Sequence, residues 1–143
     1  GSEMCIRDSY YHSECDFQLK DDESITKWLK DAISTEDKEL GEINYIFCDD
    51  QYLLKKNQVY LQHNKFTDII TFDYTEKNRL SADIFISIER VKENAITFAA
   101  PFETELRRVL IHGVLHLIGY KDKFEEDAET MRSKENFYLS KKI

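Results

Sequence analysis

Apolar residues recur at helical spacing in five stretches of this 143-residue chain. The clearest stretch predicts an amphipathic helix that follows the acidic residues 21–23, and its pattern breaks at Gly41. Similar spacing predicts further helices at about 50–61, from 88 onwards, at about 103–118 and at about 125–139. The buried stripe of the first helix is predicted to contain Ile25, Trp28, Leu29, Ala32 and Ile33.

Runs rich in β-branched and aromatic residues lie between these helices, at about 10–17, 43–48, 67–73 and 82–87. Interspersed strands and helices predict an α/β (α+β) fold, with a small mixed sheet of about four strands packed with about five helices. Glycine (4) and proline (1) are scarce, which leaves little room for a linker. We therefore expect one domain at 10–143, with residues 1–9 a cloning remnant or disordered.

Charge and cysteine content narrow the functional classes. The formal net charge of −8 argues against non-specific binding of nucleic acid, although a local basic groove is compatible with this charge. No apolar run approaches the roughly 18 residues that a membrane span needs, so we expect no membrane association. Three scattered cysteines without a secretory signal predict reduced thiols and a cytoplasmic location.

The strongest chemical signal is a pair of histidines, His112 and His116, near the end of the long fourth helix. Residues at i and i+4 share one helical face, so the two imidazoles can bind one metal ion. Gly119 can end the helix, and Asp122 then follows in the turn. The zinc-protease motif has its general base, a glutamate, directly after the first histidine. Gly113 occupies that position here, which disfavours a metallopeptidase.

The stretch from His112 to Tyr120 closely resembles the motif of the YbeY family, His-Gly-x-Leu-His-Leu-x-Gly-Tyr-Asp-His. Two further blocks are similar to family blocks and stand in the same order: Asn57–Tyr60 through Thr67–Phe72, and Ala82–Ile84. The resemblance covers roughly residues 10–140.

The resemblance implies an α/β domain with one zinc ion, held by three histidines at the end of the long helix, with an open fourth position. His112 and His116 match the first two ligands. The third family histidine falls at Asp122, which is also a competent zinc ligand. A site with two histidines and one aspartate is more anionic than a three-histidine site, and it suits other divalent metals as well.

The resemblance also implies a function. Family members are metal-dependent, single-strand-specific endoribonucleases that mature the 3′ end of 16S rRNA and take part in ribosome quality control. RNA and the ribosome or its small subunit are therefore the expected partners. The alternative is a non-catalytic ribosome assembly factor with a structural metal.

A second departure from the family concerns its cleft arginine. Many members carry this arginine where the present chain has Leu61, and it would stabilise charge on a phosphate. We therefore leave the catalytic side chains unassigned. The candidates for substrate binding are Arg107, Arg108, Lys121 and His63.

Overall fold

The computed structural model describes residues 11–60 and 67–143. Within these ranges one sheet is formed by β1 (Tyr11–Ser13), β2 (Glu39–Cys48), β3 (Ile69–Asp73) and β4 (Arg79–Ser87). The strands lie in the order β1-β2-β4-β3. The first three in this order are parallel, and β3 pairs antiparallel with β4. This mixed sheet and its helices confirm the predicted fold class.

Five helices are present in the same ranges: α1 (Asp22–Thr35), α2 (Asp50–Tyr60), α3 (Ile88–Thr97), α4 (Phe102–Ile118) and α5 (Glu125–Leu139). Sequence signals explain several of their ends. Ser87 caps α3, since its hydroxyl accepts the backbone N–H of Arg90 at 3.2 Å. Asp49 similarly accepts the backbone N–H of Tyr52 at 2.8 Å at the start of α2.

The expected end of α1 at Gly41 was wrong. The helix ends at Thr35, and Asp37 then adopts a positive φ of 60° that turns the chain towards β2. Gly41 lies inside β2, where its pairing with β4 shifts register. A Cβ there would stand 2.3 Å from the hydroxyl oxygen of Ser81, so the close approach of the two strands requires glycine.

Strand ends also needed correction, and β2 begins at Glu39 where 43 was expected. Among the described residues the first strand is Tyr11–Ser13, which pairs with β2 at Tyr45–Phe47 and ends well before residue 17, where the expected strand ended. The last strand begins at Arg79 and not at 82, because Arg79 and Leu80 pair with the start of β2. Pairing with a neighbouring strand, and not local residue preference, decides these ends.

The main core lies between one face of the sheet and the helices α1, α4 and α5. Alternate residues of β2 and β4 face it, and the two strands present them side by side: Ile43 beside Ala82, Tyr45 beside Ile84, and Phe47 beside Ile86. The central helix α4 contributes buried apolar residues to this core, among them Leu106, Val109, Leu110, Val114 and Leu117. This packing fixes α4 against the sheet.

Glu36, directly after α1, ties that helix to α5. Its carboxylate accepts hydrogen bonds from the Tyr120 hydroxyl at 2.7 Å, from Lys134 Nζ at 3.0 Å and from the Tyr138 hydroxyl. Burial raises the pKa of Glu36, but these hydrogen bonds outweigh burial and hold the pKa below its ordinary value of 4.5.

This lowered pKa predicts how Glu36 contributes to stability across pH. Its contribution is present above about pH 4.5, where an unfolded glutamate is charged, and is lost as the pH falls through the lower pKa of the folded state. We expect the difference in unfolding free energy between wild type and Glu36→Gln to shrink as the pH falls from about 6.5 to about 3.5. Urea denaturation at several pH values measures it, and a difference that grows towards low pH would contradict the assignment.

Candidate metal centre

The ligand atoms of His112, His116 and Asp122 converge at the C-terminal end of α4. The two Nε2 atoms are 3.1 Å apart, and Oδ2 of Asp122 lies 3.3 Å from each of them. Both histidines project from consecutive turns of α4. Gly119 ends the helix with a φ of 126°, and the chain then returns Asp122 to the histidine pair.

These distances fit a bound divalent metal. Neighbouring donors in a tetrahedral site with bonds of about 2.0–2.1 Å stand about 3.3–3.4 Å apart, and those of an octahedral site stand about 3.0 Å apart. Two imidazole nitrogens and a carboxylate oxygen are also a donor set that zinc accepts. The three side chains are therefore arranged as one face of a metal coordination sphere.

Glu135 holds the first of these ligands from the opposite side. The Nδ1–H of His112 donates to Oε2 of Glu135 at 2.7 Å, so that the lone pair of Nε2 is directed towards His116 and Asp122. The other oxygen of Glu135 accepts Arg108 Nη1 at 2.8 Å. The side chain of Glu135 is only 7% exposed, so α5 supplies a buried carboxylate that orients a candidate ligand.

The charges around His112 favour a cation. Burial lowers the pKa of His112, but the carboxylates of Glu135, Asp122 and Asp68 together raise it above its ordinary value. Burial raises the pKa of Glu135, but His112 and Arg108 outweigh it and keep that pKa low. The histidine thus lies among three carboxylates, an environment that attracts positive charge.

Asp68 is one of these carboxylates, and it precedes β3. Its Oδ2 accepts Asn94 Nδ2 at 3.3 Å, and its backbone carbonyl accepts the N–H of Ser87 at 3.0 Å. Burial raises the pKa of Asp68, while the nearby His112 opposes the rise. Asp68 therefore connects the start of β3 to α3, and its charge also acts on His112 of the candidate metal centre.

Gly113 shows why no general base follows the first histidine. A Cβ at this position would stand 3.1 Å from Cδ1 of Ile84 and 3.2 Å from Cδ1 of Ile69. The glycine thus faces the sheet, on the buried side of α4, and a glutamate there would point into the core. The position that serves zinc proteases is structural here.

The structure separates the predicted substrate-binding residues. Arg108 is bound to Glu135, and its Nη2 also donates to Asn136 at 2.8 Å. Arg107 lies over the Trp28 ring, 4.4 Å from its centroid, and donates to the carbonyl of Lys141. Lys121 is exposed immediately before Asp122. His63 and Leu61, where the family arginine was expected, lie outside the described residues.

Sequence reasoning missed Glu135, although a signal for it was present. Met131 and Tyr138 are seven residues apart in the predicted last helix, and both are buried. Glu135 lies four residues after the first and three before the second, so it shares their inward face. A carboxylate on a buried stripe needs a charged partner, and that requirement could have directed attention to α4.

Comparisons with known proteins assign the chain to a family. The family model described as Endoribonuclease YbeY matches residues 10–142. The Endoribonuclease YbeY of Flavobacterium johnsoniae is 56% identical over 126 residues, which cover 88% of this chain and 91% of that protein. That of Parabacteroides distasonis is 44% identical over 132 residues, 92% of this chain and 93% of that protein.

A solved structure agrees with these relatives. The solution structure of TM1509 from Thermotoga maritima superposes with a TM-score of 0.61 at 26% identity, covering 90% of this chain and 86% of that one. The family predicted from the motif at 112–120 is thus confirmed. The chain belongs to the endoribonuclease YbeY family.

Proposed function

We propose that this chain is a zinc-dependent, single-strand-specific endoribonuclease that matures the 3′ end of 16S ribosomal RNA and acts in ribosome quality control in the cytoplasm. Hydrolysis of RNA follows from membership of the family. The observation that carries the metal dependence is the convergence of three ligand atoms within 3.1–3.3 Å of one another. One zinc ion per chain, or another divalent cation, matches this donor set.

The ligands have different tasks in this proposal. His112, His116 and Asp122 would hold the metal, which would act as a Lewis acid towards the phosphodiester and lower the pKa of a bound water. His112 is the most buried of the three and is oriented by Glu135. The side chains of Asp122 and His116 are more exposed, at 44% and 33% respectively. The substrate phosphate would therefore approach the metal from the side of these two residues.

The phosphate contact is proposed to come from Lys121. This side chain is exposed next to Asp122, whereas the guanidinium groups of Arg107 and Arg108 are engaged by other parts of the fold. An ammonium group near the phosphate would balance the charge that develops on its oxygens. Leu61 cannot provide that charge in place of the family arginine.

Metal removal tests the proposal. We expect chelation to reduce cleavage of a single-stranded RNA that spans the 16S 3′ end to background, and zinc to restore it. A fully duplex RNA of the same sequence is the control and is expected to remain intact. Undiminished cleavage by protein shown to be metal-free would overturn the proposal.

A second measurement addresses the alternative of a structural metal. Thermal unfolding would be recorded with and without chelator, because the binding free energy of a structural metal is folding free energy. A large loss of stability on chelation, combined with no cleavage by the zinc-loaded protein, would favour the assembly factor.

A further inference from the structure

One carboxylate, that of Glu36, contacts both of the elements that complete the metal centre beyond α4. It lies directly after α1, and its side chain is 9% exposed. Oε1 accepts the hydroxyl of Tyr120, while Oε2 accepts Lys134 and Tyr138. Tyr120 belongs to the turn that carries Asp122, and the other two belong to the helix that carries Glu135.

The Tyr120 ring packs against the main core, and the turn has few other anchors. The backbone N–H groups of Gly119 and Tyr120 both return to the carbonyl of Leu115, at 3.1 and 3.0 Å, and complete the end of α4. In the described part of the chain, no backbone N–H of residues 121–123 donates to a backbone carbonyl. The Tyr120 hydroxyl is thus a side-chain anchor two residues before Asp122, and Glu36 is its acceptor.

The helix has a second attachment to α1. Trp28 Nε1 donates to the backbone carbonyl of Tyr138 at 2.9 Å, in addition to the contacts that Glu36 makes with Lys134 and Tyr138. The ammonium of Lys134 also lies 5.4 Å from the centroid of the Tyr120 ring, so the turn and the helix touch beside Glu36. Loss of Glu36 would therefore affect the turn more than the docking of α5.

We propose that Glu36 is a positioning residue for the metal centre, which holds Asp122 at ligand distance through Tyr120 and supports the helix that presents Glu135 to His112. The inference rests on the proposed metal site. Residues that orient the ligands of a metal change its binding affinity although they do not contact the metal themselves. Glu36 would act on the site indirectly, from the residue that follows α1, a helix that contributes no candidate ligand.

The test measures metal affinity and not only stability. Zinc dissociation constants of the full chain would be obtained by competition with a chromophoric chelator, together with the visible absorption of the cobalt-loaded protein. We expect about tenfold weaker zinc binding and an altered cobalt spectrum for Glu36→Gln and for Tyr120→Phe. Tyr138→Phe, which leaves the turn anchored, is expected to lose less than about threefold.

A double-mutant cycle tests whether Glu36 acts through Tyr120. We expect Tyr120→Phe to weaken zinc binding little further once Glu36 is already glutamine. The matched control is Thr26→Val. It removes a buried hydroxyl on α1 that donates to the carbonyl of Asp22 and pairs with Tyr11, away from the metal centre. We expect it to lower the unfolding temperature without changing zinc affinity.

The outcomes distinguish this inference from the proposed function. If the wild-type chain binds no divalent metal, both the proposed function and the positioning role of Glu36 are overturned. A wild-type chain that binds zinc, with Glu36→Gln binding equally tightly at a lower unfolding temperature, leaves the proposed function standing and overturns the positioning role. An equal loss of affinity in Thr26→Val also overturns it. Should Glu36→Gln fail to fold, Tyr120→Phe decides by the same criterion, because it removes a single oxygen atom.

Discussion

Replacing His116 with alanine is expected to abolish metal binding and RNA cleavage together. The variant removes a nitrogen that lies 3.1 Å from His112 Nε2 and 3.3 Å from Asp122 Oδ2, leaving two of the three ligand atoms. Loss of an outer partner typically weakens metal affinity by about 10–100-fold, so loss of a ligand should exceed a hundredfold. Cleavage should fall to the level of the chelated wild type.

Metal analysis of the purified variant, run alongside cleavage of single-stranded rRNA, checks this expectation. His12→Ala is the matched control, because His12 is an exposed histidine on β1. It should retain both metal and activity. The side chain of His116 is 33% exposed, so the metal-free variant should fold normally, and circular dichroism verifies this. Cleavage at the wild-type rate by a metal-free His116→Ala would contradict a metal-dependent mechanism.

Replacing Glu135 with alanine is expected to weaken both the fold and the metal centre. Arg108, whose side chain is 22% exposed, would lose its carboxylate partner, and His112 would lose the acceptor for Nδ1–H. Removing one partner of a buried ion pair costs about 3–5 kcal/mol, and the partial exposure of Arg108 places the expected loss near 3 kcal/mol. Zinc affinity should fall about 10–100-fold because His112 is no longer held in one orientation.

Urea denaturation of the metal-free chain and chelator competition measure these two effects separately. Glu129→Ala provides the control, since Glu129 is an exposed glutamate on the same helix and should change stability by less than about 0.5 kcal/mol. Glu135→Gln keeps the side-chain volume and removes the charge together with one of the two acceptor oxygens. If Glu135→Ala bound zinc as tightly as wild type, the orienting role of Glu135 would be refuted.

The helices of this fold could be predicted because each carries its own signal. The stripe from Ile25 to Ile33 is buried as expected, and the cap at Ser87 forms. Strand ends were less predictable, because pairing with a distant neighbour decides them. Arg79 is polar and exposed, yet it extends β4 because Glu39 lies beside it.

The residues of the candidate site also fall into a group that the sequence predicts and a group that it does not. His112, His116 and Asp122 lie close together in sequence, so helical spacing and one turn were enough to suggest that they meet. Glu135, Asp68 and Glu36 reach the site or its supports from other elements. Their roles depend on how α5, β3 and α1 pack on α4, which residue spacing along the chain does not encode.

The candidate ligands come from one short segment, but their supports come from across the chain. Glu36 and Tyr120 are 84 residues apart, and Glu135 follows His112 by 23. A fragment of α4 with its turn could bind a metal loosely as soon as that helix forms. Tight binding would require α1 and α5 to have docked, so metal loading should be slow to mature during refolding and should report completion of the tertiary structure.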